Sequence, residues 1–390
     1  MDRRLVLLCA VIFLAVAFVS YANAQPGEGI KCGQGTIHII GKAQEQYDSN
    51  IFLDPSGAKD DWVTTLTPGM TVEYPFAGDN LLRAGYIVDF LMYGEYTKQN
   101  AINHTVNAGV DMQLRDVKIS VDDVFRHVYD RPDTEFTQRL TRDINNLGVK
   151  ASAEYNRLGY ELGYNNIYTY YETEGYQYEN RFDNLINGII TYRIYTKTKL
   201  LFEFDYGNIN YVKKINSDSN SYQGLVGIRG ELTAKCTGEI KAGWQYRDYT
   251  RETENDFDSL VTMAGLEERF TERDTLKINW LRSPFESLYT GTNYYIMNML
   301  NGSYIHKFTE KFSGNVGAGY QLAQYPTETT EAAVTQKRLD STWSVGAGVE
   351  YAPQKWIVCK AGYEFRQRDS NFGIYSWDEN LATASVSMIY

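Results

Sequence analysis

The 390-residue chain carries 38 Lys and Arg against 49 Asp and Glu, a formal net charge of −11, and combines 32 Tyr, 17 Phe and 6 Trp with only 8 Pro. Its acidic balance excludes a nucleic-acid partner, whose phosphates it would repel. After the first residues no run approaches the roughly eighteen apolar residues that a membrane-crossing helix needs, so a helical transmembrane protein is excluded too.

The chain begins with Arg3 and Arg4, an apolar run from Leu5 to Val19, and Ala22-Asn23-Ala24. A basic start, a short apolar core and an A-x-A ending predict a secretory signal peptide, residues 1–24, cut after Ala24. Cys9 follows Leu8, where a lipoprotein signal needs a small residue, so lipidation is not expected. Residues 25–35 then form a short periplasmic segment. The remaining cysteines, Cys32, Cys236 and Cys359, have no C-x-x-C spacing; they allow one disulfide, or are three small half-buried residues.

From residue 36 onward, apolar and polar residues alternate with period two, the signature of strands with two differently solvated faces. The predicted strands run 36–48, 61–74, 80–96, 101–113, 116–128 and 138–155. They continue with 158–172, 181–195, 198–212, 221–234, 237–250 and 259–271. The last six are 275–283, 292–308, 312–325, 339–352, 356–369 and 377–390. The total is eighteen, or sixteen if the first strand or one weak hairpin is discounted. In 260–270 and 293–305 both faces carry apolar residues, which leaves their orientation open.

Very short turns such as Arg115-Asp116, Asn156-Arg157 and Glu310-Lys311 alternate with longer polar loops, of which 326–338 is the longest. That asymmetry predicts an all-β fold, a transmembrane antiparallel β-barrel over residues 36–390 in the bacterial outer membrane, with the short turns periplasmic. Tyrosines at strand ends, among them Tyr47, Tyr155, Tyr211, Tyr249, Tyr325, Tyr351 and Tyr375, predict aromatic girdles in contact with outer-membrane lipid. The chain ends in LATASVSMIY, whose apolar file is Ala382, Ala384, Val386, Met388 and Tyr390. This segment is expected to close the barrel against residues 36–48, because an open edge is not tolerated in lipid. It also resembles the C-terminal signal by which the outer-membrane barrel assembly machinery recognises its clients.

Eighteen strands about 4.8 Å apart and tilted near 40° give a backbone cylinder about 35 Å across, too wide for side chains to fill. Such a bore is plugged, constricted by an infolded loop, or open, and no segment is long enough for a plug domain. The polar files supply a candidate lumen lining of Arg83, Asp89, Lys150, Glu154, Arg193, Glu203, Asp205, Lys241, Arg247, Glu350, Lys360, Glu364 and Arg366. Both signs occur, which argues against strong selection for one ion.

Enzymatic signals are thin. A turn at Arg115-Asp116 would bring His104 near His127, with Asp122 and Asp123 close by, as a barrel hydrolase would need. Polar rim residues explain the same pattern. Asp54, Asp60 and Asp61 lack calcium-ligand spacing, and there is no P-loop, dinucleotide or zinc motif. No catalytic residue, no metal and no cofactor are therefore expected.

Several stretches in order, YDSNIFLDP with DDWVTTLTPGMTVEYP, GWQYRDYTR, LRSPFESLYTGTNYY, GSYIHKFTEKFSGNVGAGYQLAQY and AGYEFRQRDSNFGIYSWDENLATASVSMIY, resemble the type-two outer-membrane β-barrel porins associated with exopolysaccharide and capsule export loci. The resemblance spans the mature chain. It implies a channel for polysaccharide working with a periplasmic polysaccharide export protein. A general diffusion porin for small solutes is the alternative, and a barrel hydrolase is a further one.

Overall fold

The computed structural model describes residues 28–390 apart from 133–134, 136, 252–255, 290–291 and 332; the signal peptide and its cut site lie outside the described residues. The alternating segments become strands. A short β1 (Ile30–Cys32) is followed by β2 (Gly35–Asp48), β3 (Asp61–Phe76), β4 (Asn80–Tyr93), β5 (Ala101–Leu114), β6 (Val117–Asp130) and β7 (Leu140–Tyr155). Next come β8 (Leu158–Tyr171), β9 (Arg181–Arg193), β10 (Thr198–Tyr211), β11 (Ser219–Glu231), β12 (Cys236–Tyr249) and β13 (Phe257–Arg269). The chain finishes with β14 (Asp274–Glu286), β15 (Tyr294–Lys307), β16 (Phe312–Glu331), β17 (Val334–Gln354), β18 (Ile357–Ser370) and β19 (Trp377–Ile389). Among the described residues three single-turn 3-10 helices sit in loops, and no helix is long and apolar enough to cross a membrane.

Each strand pairs antiparallel with the next, and β19 pairs back with β2 from Leu381 opposite Asp48 to Ile389 opposite Ile40. Beyond that ladder Tyr390 N donates to Ile39 O at 2.9 Å and Ile39 N to Tyr390 O at 3.1 Å. Strands β2 to β19 thus form a closed barrel of eighteen, with the predicted closing pair. Strand β1 is a spur folded back on β2 through Ile30 opposite Ile37 and Cys32 opposite Gly35. Cys32, Cys236 and Cys359 are all free thiols.

One end of the barrel carries turns of two to four residues, such as 115–116, 156–157 and 308–311. Arg115 and Asn156 begin two of these turns with φ of 52° and 54°, the left-handed conformation that two-residue hairpin turns require. The other end carries longer connections, including 49–60, 131–139, 172–180 and 287–293. Short turns face the periplasm in such barrels, which makes the loop end external.

The stretch expected as the longest loop, 326–338, is instead mostly strand. Strands β16 and β17 continue past their neighbours as a two-stranded arm, with Glu328 opposite Lys337 and Thr330 opposite Thr335. Its threonines favour extended backbone as strongly as apolar β-branched residues do, but they carry no apolar alternation to reveal it. The register shift between Gln324 and Glu328 houses Pro326, which has no N–H to give to the ladder.

Outward faces are apolar and inward faces polar through most of the wall. Leu162, Phe204, Val226, Trp244, Val316 and Tyr363 stand exposed on the outside. The expected girdle is partly corrected. Tyr155, Tyr195 and Tyr351 are exposed, whereas Tyr211, Tyr249 and Tyr325 are buried, because they fall on the inward file of their strands. The two ambiguous stretches have the same cause: Val261 packs in an inward apolar cluster with Phe257, Leu225 and Tyr249, and Tyr295 and Met297 pack in another with Ala323 and Tyr325.

Candidate functional site: the lumen and its mouth

Inward charges on the wall formed by β7 to β12 are knitted together across strands. Lys150 Nζ lies 2.5 Å from Glu161, and Glu161 lies 2.9 Å from Arg229. Arg229 also pairs with Glu239, which lies 3.2 Å from Lys241, and Lys241 Nζ lies 2.8 Å from Glu203. The result is a continuous alternating ladder. Asp205 beside it accepts hydrogen bonds from Asn187 and from Gln223 at 2.7 Å. Toward the short-turn end, Glu154 pairs with Arg193 and, at 2.8 Å, with Lys199. Such pairs cancel each other's field at the lumen surface while keeping it wet.

The other expected lining residues also point inward. Arg83 lies 3.2 Å from Asp111 and 2.8 Å from Asp122, and Asp89 accepts from Thr67 Oγ1 at 2.5 Å. Arg247 pairs with Glu286, Lys360 lies 3.0 Å from Glu350, and Arg366 lies 2.5 Å from Glu379. Glu364 lines a cavity of about 890 Å³ whose wall, from β15 through β19 to β2, is mainly glycine, serine, threonine and amide side chains. The lumen therefore has a charged, self-paired wall facing a smooth, hydroxyl-rich one.

The mouth is built by residues that periodicity could not reveal, since loops have no period. Loop 49–60 turns Ile51 inward onto Val63 and Tyr93, and loop 287–293 packs Leu288 on Leu140 and Tyr171. Strands β7 and β14 are seven places apart in the ring of eighteen, so Leu288 reaches far across the opening. Loop 131–139 spans from the same side: Glu135 is buried, its carboxylate accepting from Ser287 Oγ at 2.7 Å and from Leu288 N at 2.9 Å. Arg131 and Arg139 each donate to Ile51 O at 2.7 Å. Burial, with the like charge of Arg139 beside it, brings the Arg131 guanidinium down to about 10, so it stays charged at neutral pH.

Arg338 anchors the rim. It is 2 % exposed, lies 2.9–3.0 Å from both Asp340 oxygens through Nε, and stands over the rings of Tyr289, Tyr325 and Tyr375 at 5.1, 4.7 and 3.6 Å. Guanidinium stacking of this kind locks the loops carrying Tyr289 and Tyr375 to the wall. Burial raises the Tyr289 hydroxyl above the usual tyrosine range, so it remains neutral. Arg368 donates to Tyr375 O at 2.8 Å and approaches Glu135 O at 3.5 Å.

The hydrolase grouping does not assemble. His104 and His127 do face one another across β5 and β6, but on the outer face, while Asp122 points inward to Arg83 and Asp123 accepts from Asn145. His127 instead meets Asp143. The loop aspartates do not converge either: Asp61 accepts from the backbone N–H groups of Trp62, Glu95 and Tyr96, and Asp60 from the Tyr47 hydroxyl.

Solved structures share this architecture. Pseudomonas aeruginosa OpdK with vanillate matches at TM-score 0.51 and 10% identity over 91% of this chain and 99% of that one. Acinetobacter baumannii OccAB3 matches at TM-score 0.51 and 9% identity, covering 92% of this chain and 100% of that one. Pseudomonas aeruginosa OpdQ matches at TM-score 0.51 and 10% identity, covering 92% and 99%. At such identities the likeness is one of fold. No curated protein sequence matches. A family described as "Putative beta-barrel porin 2" matches residues 25–390, and with its closed eighteen-stranded barrel and polar lumen the chain belongs to that family of outer-membrane porins.

Proposed function

We propose that the protein is a diffusion channel for small hydrophilic solutes, with the inturned loops setting the size limit. The observation that carries this reading is the meeting of loops 49–60, 131–139 and 287–293 over the mouth, tied by Glu135 to Ser287 and Leu288. A backbone cylinder about 35 Å across would pass a polymer; loops drawn over its mouth suit something smaller. The paired charges of the wall favour neutral or weakly charged solutes over one sign of ion.

Polysaccharide export through the same lumen, with a periplasmic export partner, is the second reading. It is supported by the sequence resemblance and by the smooth hydroxyl and amide wall from β15 to β2, over which a glycan would slide. Liposome swelling with the purified barrel separates the two. The diffusion reading expects swelling with monosaccharides and disaccharides, falling off with larger oligosaccharides, and steady conductance in planar bilayers without any partner. A barrel that stays silent alone and passes glycan only beside a periplasmic protein would replace it with the export reading.

A further inference from the structure

The outer face near the external rim holds a polar row that the lumen does not use. Cross-strand register sets His104 opposite His127, His127 opposite Asp143, and Asp143 opposite Tyr170, with Glu172 just beyond the end of β8. His127 Nδ1 lies 2.8 Å from Asp143 Oδ1 and 3.8 Å from Glu172 Oε1. One ligand atom from each of the three lies within 4.8 Å of the others, the one such trio of His, Cys, Asp or Glu among the described residues. All three side chains remain partly open to solvent, at 32, 29 and 43%.

Charge balance bears on the trio as well. Acids of the lumen wall such as Glu154, Glu161, Glu203 and Glu239 sit against lysine or arginine. Among the described residues neither Asp143 nor Glu172 has a lysine or arginine at ion-pair distance; their shared neighbour is the imidazole of His127. Two carboxylates held this close repel each other unless a cation lies between them. An imidazole nitrogen with two carboxylate oxygens is a donor set suited to borderline divalent ions of the first transition row, and it leaves coordination positions for water or for an outside ligand.

We infer that His127, Asp143 and Glu172 form a surface site for a divalent transition-metal ion, of which Zn²⁺ is the probe. The location gives the site its use. Strands β6, β7 and β8 end here at the external rim, so a bound ion stitches three strand ends together just where loop 131–139 leaves the wall. Its open positions face outward, away from the lumen.

Titration of the intact, detergent-solubilised barrel with Zn²⁺ against a background of Mg²⁺ tests the assignment. One ion per chain is expected, with affinity falling by more than about tenfold in His127→Gln and in Asp143→Asn, since even a neighbour of a ligand is worth about 10–100-fold. His306→Gln is the control, because His306 lies 2.7 Å from a single carboxylate, that of Asp274, and should bind as the unmodified protein does. Heat-modifiable migration reports whether each variant is folded. Zn²⁺ should also slow diethyl pyrocarbonate modification of His127 in the unmodified protein, a reading that needs no variant. Absence of saturable Zn²⁺ binding, equal binding in His127→Gln, an equal loss in His306→Gln, or unchanged His127 reactivity would each overturn the site.

Discussion

Glu135 sits in a loop, yet few side chains in the barrel are more buried, and its two carboxylate oxygens accept from groups on the far side of the ring. A hydrogen bond to a charged group contributes about 1.5–3 kcal/mol, so truncating this side chain should loosen the tie between loop 131–139 and loop 287–293 by a few kcal/mol. In planar bilayers Glu135→Ala is expected to conduct more, with larger current fluctuations, and Glu135→Gln, which keeps one acceptor, to fall between it and the unmodified protein. Identical traces for all three would exclude this loop as the constriction. Nothing in the sequence marked Glu135, because its partner lies about 150 positions away in another loop and neither segment has a period. Arg338 escaped notice for a related reason: its role depends on three tyrosines supplied by two loops and a neighbouring strand. Lys150, Glu203 and Lys241 were legible, since a strand with one wet face announces its inward residues by alternation alone.

Strand number, order and closure were legible at the scale of elements, because each hairpin is a local event written in alternation and in turn residues. The arm of β16 and β17 was not: its threonines and glutamates are polar on both faces, so composition read as loop while β-propensity and the Glu328–Lys337 and Thr330–Thr335 pairs made strand. Closure rests on β19. Its last residues pair with Gly41 and Ile40, and Tyr390 exchanges two backbone hydrogen bonds with Ile39. Removing Met388 to Tyr390 would strip the edge of β2 of its partners at the short-turn end, and unpaired backbone groups in the apolar layer cost several kcal/mol each. The deletion is expected to abolish accumulation of heat-modifiable barrel in the outer-membrane fraction. Normal accumulation would show that neither the closing ladder nor the terminal apolar file is needed for insertion.

Although the whole chain is acidic at −11, the ladder from Lys150 through Glu161, Arg229, Glu239 and Lys241 to Glu203 alternates in sign and sums to zero. Net charge therefore says little about what the lumen prefers; the arrangement of pairs decides it. Arg229, near the middle of the ladder, holds two acids from different strands, Glu161 at 2.9 Å and Glu239. Arg229→Gln would keep a polar amide on the wall but shorten the side chain and remove its charge, leaving one uncompensated negative charge. The field of that charge extends about 10 Å at 0.1 M salt and about 3 Å at 1 M, against a bore whose backbone radius is near 17 Å. Reversal potentials measured across a KCl gradient should then shift toward K⁺ in Arg229→Gln at low salt, fade as salt rises, and stay at the unmodified value in Arg229→Lys. Equal reversal potentials in all three proteins would place the ion path away from the β7 to β12 wall, along the glycine and serine surface opposite.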